Sequence, residues 1–319
     1  MKGALAATGA ASWLSLEEQV LASAAPKGDG GKAPEGERKP PAPVKPDSKA
    51  TLPKGKIGDL EISRVILGGN LIGGWAHSRD LMYVSNLLKA YHTDEKVLET
   101  LQIAEEHGVN CINTHPNAGN LMHRYHTERG GKMHWMAQIF PDENGDFGPC
   151  IRAAVKQGVE MVQIQGGVAD GMVGQGKLEL IDKGIRYGQA QGLPSGVGAH
   201  DLAVIQACEK GGVKADFYVK TLHTLDYWSA RGPEGRQHDN TWCADPKATI
   251  DYMAKLESPW IAFKVMAAGA IRPQQAFQYS FDNGADFVFA GMFDFQIAAD
   301  VAIARKVLAK VKRGRPWRA

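Results

Sequence analysis

The strongest constraint on this chain is a repeated pairing of two apolar rhythms. Eight short apolar runs, Val65–Gly69, Val109–His115, Met136–Phe140, Met161–Gln165, Gly196–His200, Phe217–Leu222, Trp260–Met266 and Phe287–Gly291, alternate with stretches of helical spacing. In one such stretch Val97, Leu101 and Ala104 recur on a single face, while Lys96, Glu99 and Gln102 face away. Gly108, Gly158, Gly192, Gly212 and Gly284 stand where a helix would end before the next run. Runs that are apolar throughout must be buried on both faces, which demands a parallel sheet covered by helices. Eight units over about 250 residues predict an α/β fold, a closed (β/α)8 TIM barrel, rather than a doubly wound sheet. No G-x-G-x-x-G follows any run.

The barrel accounts for residues 54–319. Before it, residues 1–24 read as an export signal that has lost its start: an alanine-rich apolar run, Gly3 to Leu14, is followed by Ala22-Ser23-Ala24 as a cleavage signal. The opening Met1-Lys2-Gly3-Ala4-Leu5 looks like a twin-arginine leader beginning just after its arginines. An exported, periplasmic protein is therefore expected, or a cytoplasmic one if this segment is not a signal. The run is too short to span a bilayer, so no stable membrane insertion is expected. Residues 25–53 are dominated by Pro, Lys, Gly and Glu and read as a linker. With a formal charge of +2, no nucleic-acid partner is expected, and the basic tail Lys310–Arg318 reads as a solvated helix end followed by a short docked segment. Cys111, Cys150, Cys208 and Cys243 show no metal-like spacing and imply no disulfide framework.

Several segments together resemble the aldo/keto reductases, over roughly residues 54 to 310. Lys56–Ser63 resembles the hairpin that plugs the bottom of those barrels, and Val109–His115 has the frame of their second strand. Gly196–Asp201 looks like the strand that contacts the nicotinamide; Asp216–Asp226 and Ile261–Gly269 are similar to strands six and seven. The resemblance implies a catalytic Asp, Tyr, Lys and His. Here Asn113 replaces the Asp, no Tyr follows at the family's spacing, Gln138 stands near the Lys position and Gln165 near that of the His. None of these supplies a proton at neutral pH. The 2′-phosphate of NADPH would be held after strand eight, where Ala290–Gln296 contains no Lys or Arg and Asp294 would repel it. NAD(P) is accordingly less expected than other chemistry.

In such a barrel the strand C-termini and the loops after them surround the active site. That rule collects His115, Gln165, His200, Lys220, His223 and Lys264. Lys264 and Lys220, among apolar neighbours, are candidate catalytic amines, since burial favours the neutral form suited to a base or Schiff-base nucleophile. His115 and His77 are candidate acid/base groups. His115, His200 and His223 together would offer three nitrogens to a divalent metal (Zn, Mn or Mg), although each also reads as a separate hydrogen-bonded histidine. Arg79 and Asp80 in the dense first loop, with Asn113, Gln165, Asp226 and Trp228, are candidate substrate contacts, Trp228 offering a face to a sugar ring. The segment Ala230–Asp245 reads as an insertion at the mouth carrying His238 and Trp242.

The expected function is that of a barrel enzyme acting on a small sugar or sugar-derived carbonyl by Lys/His acid–base chemistry, with or without metal assistance, as a lyase, isomerase or hydrolase. Two alternatives stand beside it: an NAD(P)H-dependent reductase with a non-standard proton donor such as His115 or His77, and a barrel that only binds its ligand.

Overall fold

The computed structural model describes residues 51–75, 81–230 and 240–319. The leader, the linker up to residue 50, His77, Arg79, Asp80 and His238 lie outside these residues. A two-stranded antiparallel hairpin, β1 (Lys54–Ile57) and β2 (Leu60–Ser63), precedes eight parallel strands. These are β3 (Val65–Gly68), β4 (Cys111–Thr114), β5 (His134–Ile139), β6 (Met161–Ile164), β7 (Ser195–Ala199), β8 (Phe217–Thr221), β9 (Trp260–Phe263) and β10 (Phe287–Ala290). They close in sequence order, with β10 beside β3, into one barrel. The (β/α)8 architecture expected from the alternating runs is present, hairpin included.

Around the barrel run α1 (Asn70–Gly73), α2 (Tyr83–Tyr91), α3 (Asp94–Glu106), α4 (Gly119–Glu128), α5 (Gly148–Lys156), α6 (Gly166–Gly174), α7 (Leu178–Ala190), α8 (Leu202–Gly211), α9 (Pro246–Met253), α10 (Pro273–Asp282) and α11 (Asp294–Leu308). Gly108, Gly158, Gly192, Gly212 and Gly284 all take positive φ, which ends each helix in the left-handed turn that a side chain would strain. Among the described residues no helix is long and apolar enough to cross a membrane.

Strand alternation sorts the core into two bodies. Cys111, Met136, Met161, Phe217, Ile261 and Phe287 point into the barrel, and Ile57 and Ile62 of the hairpin join them from below. The intervening residues, such as Tyr218, Leu222 and Ala262, pack outward against the helices. The bottom is sealed around Asp286, a fully buried carboxylate at the foot of β10. It accepts from Arg313 Nη2 at 3.1 Å, from Arg315 Nη1, and from the backbone amides of Arg318 and Trp260 at 3.0 and 2.9 Å. Arg64 donates to the carbonyls of Asp286 and Ala319 and lies 4.0 Å from the Trp317 ring centre. The basic tail is thus docked, and its arginines serve a buried anion.

Candidate functional site

The best-organised titratable pair sits at the C-terminal ends of β6 and β7. His200 follows β7, and its Nδ1 lies 2.7 Å from Asp170 Oδ2 on α6. The same carboxylate accepts the backbone amides of His200 and Asp201 at 3.1 and 3.2 Å. A carboxylate held by three donors fixes the imidazole tautomer: Nδ1 carries the proton, and Nε2 keeps its lone pair. The ring sits against Trp242 and Phe263, with centroids 4.8 and 5.3 Å away.

Lys264 shares this wall. Its Nζ stands 3.6 Å from the centre of the Trp242 ring, a cation–π contact that favours the charged ammonium. The expected strand to Met266 ends instead at Phe263, and Lys264 turns out of the barrel with φ of 56°. Glycines aside, Lys264, Ala267 and Ala268 are the described residues with positive φ. Strain of this kind gathers where surrounding structure holds a residue in place for a task.

His115, after β4, is the opposite type of group. Its Nδ1 accepts the Asn117 amide at 3.2 Å, so the proton sits on Nε2. Burial between Phe140, 4.8 Å away, and Trp75, 6.4 Å away, pushes its pKa down to about 4. At neutral pH it is an uncharged N–H donor, able to polarise an oxygen but not to serve as a base.

His223 proves structural. Its Nδ1 lies 2.9 Å from the Thr224 carbonyl, and its Nε2 accepts the backbone amides of both Trp242 and Cys243 at 2.9 Å. Both nitrogens are committed, so the expected metal triad His115, His200 and His223 fails on ligand supply. Among the described residues no group of three His, Cys, Asp or Glu side chains gathers to hold a metal. What His223 does is anchor the chain returning to α9. Tyr227 adds a hydroxyl bond to the Asn240 carbonyl at 2.6 Å, and Asn240 Nδ2 donates to Ser229 Oγ at 2.7 Å.

This arrangement has a pH signature. Burial, with Lys220 and Lys264 adding repulsion, pushes the His223 pKa down to about 4 from 6.5. As pH falls, the unfolded chain takes the proton first, so this histidine's contribution to stability is whole above about 6.5, erodes below it and is gone near 4, a change of roughly 3 kcal/mol. Urea unfolding at pH 7.5 and pH 4.5 is expected to show this loss beside a comparable one from His115, and His223→Gln to shrink the difference by about 2–3 kcal/mol. An unchanged slope in the variant would contradict the assignment.

Lys220 also takes a different role from the one expected. It lies on the helix-facing side of β8, in phase with Tyr218 and Leu222, and is 1 % exposed. Its Nζ donates to Thr221 Oγ1 at 2.6 Å, and Thr221 Oγ1 donates to the His200 carbonyl at 3.0 Å. Burial lowers its pKa, opposed by Asp170 and Asp201. Lys220 therefore supports His200 from behind and does not face the mouth. Gln165 is likewise a helix cap, its Oε1 accepting the Val168 amide of α6 at 2.9 Å. Asp226 and Trp228 lie on the exposed rim, Trp228 with 72 % of its surface open. Asn113 lies inside the barrel, where its Oδ1 accepts from Gln138 Nε2 at 3.2 Å. Asn113 and Gln138 thus meet inside the barrel as neutral amides.

Asp294, in the first turn of α11, accepts from Tyr91 at 2.6 Å and Lys96 at 3.0 Å, while Phe293 and Phe295 stack over each other at 5.2 Å. A carboxylate at the helix start cancels the positive end that would hold a phosphate. A surface groove of about 460 Å³ near Lys214, Asp216 and Lys255 lies at the strand N-termini, the end of the barrel away from this chemistry.

Asp170 is the partner of His200 that sequence reasoning missed. The available signal was a single carboxylate within the glycine-rich, apolar stretch Gly166–Gly174, which a solvated charge does not require.

No protein-family description matches the chain, and no curated protein is detectably similar in sequence. Among solved structures, it is similar to a candidate aldo-keto reductase from Pseudomonas aeruginosa, with 15% identity and a TM-score of 0.55 over 84% of this chain and 97% of the other. A second structure of such a reductase candidate from that organism gives 14% identity and 0.55, covering 80% and 96%. At these identities the likeness shows the barrel fold.

Proposed function

We propose that the chain is a barrel enzyme that moves a proton on a small polyoxygenated carbonyl compound, of the sugar or sugar-derived class, as an isomerase or lyase. The observation that carries this reading is the Asp170–His200 pair, in which the carboxylate commits Nδ1 and leaves the lone pair on Nε2. His200 Nε2 takes a proton from carbon beside the carbonyl. The C–H electron pair moves into the carbon–carbon bond, and the carbonyl oxygen becomes an enolate. The His115 Nε2–H donor and the Lys264 ammonium, at the ends of β4 and β9 on the same rim, would stabilise that charge. Where the deprotonated carbon bears a hydroxyl, that hydroxyl passes its proton to the enolate oxygen, and return of the proton from His200 to the former carbonyl carbon isomerises the compound; where the next carbon along, beta to the carbonyl, bears a hydroxyl, the enolate expels it with the proton held by His200, as water, which gives elimination. Trp228 on the rim suits a sugar face.

The test reads the proton transfer itself, whatever the product. Aldoses, ketoses and sugar acids are incubated with the protein in D2O and followed by mass spectrometry and NMR. At least one is expected to gain deuterium beside its carbonyl. Saturable binding of a compound with neither exchange nor turnover would replace this reading with that of a ligand-binding barrel.

A further inference from the structure

The proton-transfer scheme leaves one buried polar cluster without a task. Asn113 on β4 and Gln163 on β6 are 3 % and 4 % exposed. Asn113 Oδ1 accepts from Gln138 at 3.2 Å and from Gln163 Nε2 at 3.4 Å. Asn113 Nδ2 and Gln163 Oε1 are then left buried with no hydrogen-bonding partner. Turning either amide over gives no relief. A flipped Asn113 sets N–H against two N–H donors, and a flipped Gln163 sets oxygen against oxygen. Each orphan lowers stability, so two in one cluster call for an explanation.

One orphan is a donor and the other an acceptor. The bond joining their amides is 3.4 Å long, and the N and O of an amide are roughly 2.3 Å apart, which places the orphans within about 8 Å of each other. A hydroxyl has the chemistry to satisfy both from a single oxygen, accepting from Nδ2 and donating to Oε1, where the two stand within two hydrogen-bond lengths, about 6 Å. A ketone oxygen or carboxylate would leave Oε1 facing a lone pair; an ammonium would oppose Nδ2. The cluster meets the mouth through Gln138, which is part-exposed. Beside it on β7 stands Gly198, where a Cβ would come within 3.1 Å of Gln163 Oε1.

We propose that Asn113 Nδ2 and Gln163 Oε1 form a receptor for a hydroxyl group of the substrate in the floor of the barrel mouth, held in register by Gln138. This rests on the proton-transfer reading and narrows its substrate to a hydroxylated carbonyl compound.

Glycerol, as a minimal vicinal polyol, is the ligand for the test. Crystals of the full chain soaked in glycerol are expected to show a hydroxyl oxygen within hydrogen-bonding distance of both atoms. A solvent oxygen that glycerol does not replace, or direct closure of Nδ2 on Oε1, overturns the proposal. In solution, the Asn113 side-chain amide signal is expected to shift with glycerol. Gln163→Met, similar in shape and without either polar atom, is expected to raise the half-saturating concentration about tenfold while leaving Tm equal or higher. Equal response in parent and variant overturns the receptor. Deuterium exchange on the parent reads the other claim separately. Exchange without a seated hydroxyl refutes only this inference, and a seated hydroxyl without exchange refutes only the proton transfer.

Discussion

His200→Asn is expected to lower deuterium exchange and turnover by between a hundredfold and ten-thousandfold, about what a positioned general base contributes. Asparagine is chosen because its Nδ2–H falls near the place of the imidazole Nδ1–H, so the bond to Asp170 and the packing against Trp242 and Phe263 survive. What disappears is the lone pair at Nε2. Asp170→Asn probes the same atom from the other side. An amide N–H facing Nδ1 drives the proton to Nε2, which converts the base into a donor; exchange is expected to fall by a similar factor with little change in substrate affinity. Loss confined to KM in both variants would show that His200 binds and does not take a proton. Unchanged exchange in His200→Asn would remove the base from the scheme altogether.

Asp286→Asn is expected to destabilise the fold by about 3–5 kcal/mol, the usual cost of removing one partner from a buried ion pair. The carboxylate is fully buried and receives Arg313, Arg315 and two backbone amides, so every lone-pair direction is taken. An amide neutralises the charge and turns an N–H toward donors, leaving two guanidinium groups buried without their counter-charge. For a domain of this size that corresponds to a fall in Tm of roughly 6–20 °C, measurable by calorimetry. A change below about 1 kcal/mol would mean that the tail does not hold the barrel bottom in solution.

Strand positions were legible because burial on both faces writes itself as consecutive apolar residues, and helix ends because glycine is what a left-handed turn tolerates. The β9 boundary was not: Lys264 follows Phe263 within an apolar stretch, and only the positive φ at Lys264, Ala267 and Ala268 shows that the strand has ended. The side of β8 on which Lys220 lies could have been read from its phase, two residues after Tyr218 and opposite to Phe217 and Val219. The remaining roles depend on partners distant in sequence. Asp170 meets His200 thirty residues on, and His223 is committed by amides at 242 and 243. Composition says which groups can titrate; tertiary packing decides which nitrogen holds the proton.

The hydrogen bonds made by Tyr227, Asn240 and His223 carry an engineering implication. They fix where the chain leaves the barrel after β8 and where it returns ahead of α9, and so help set Trp242 beside His200. Loosening this clasp from the rim, as in Tyr227→Phe, should therefore disturb the Trp242–His200 packing without altering either ring.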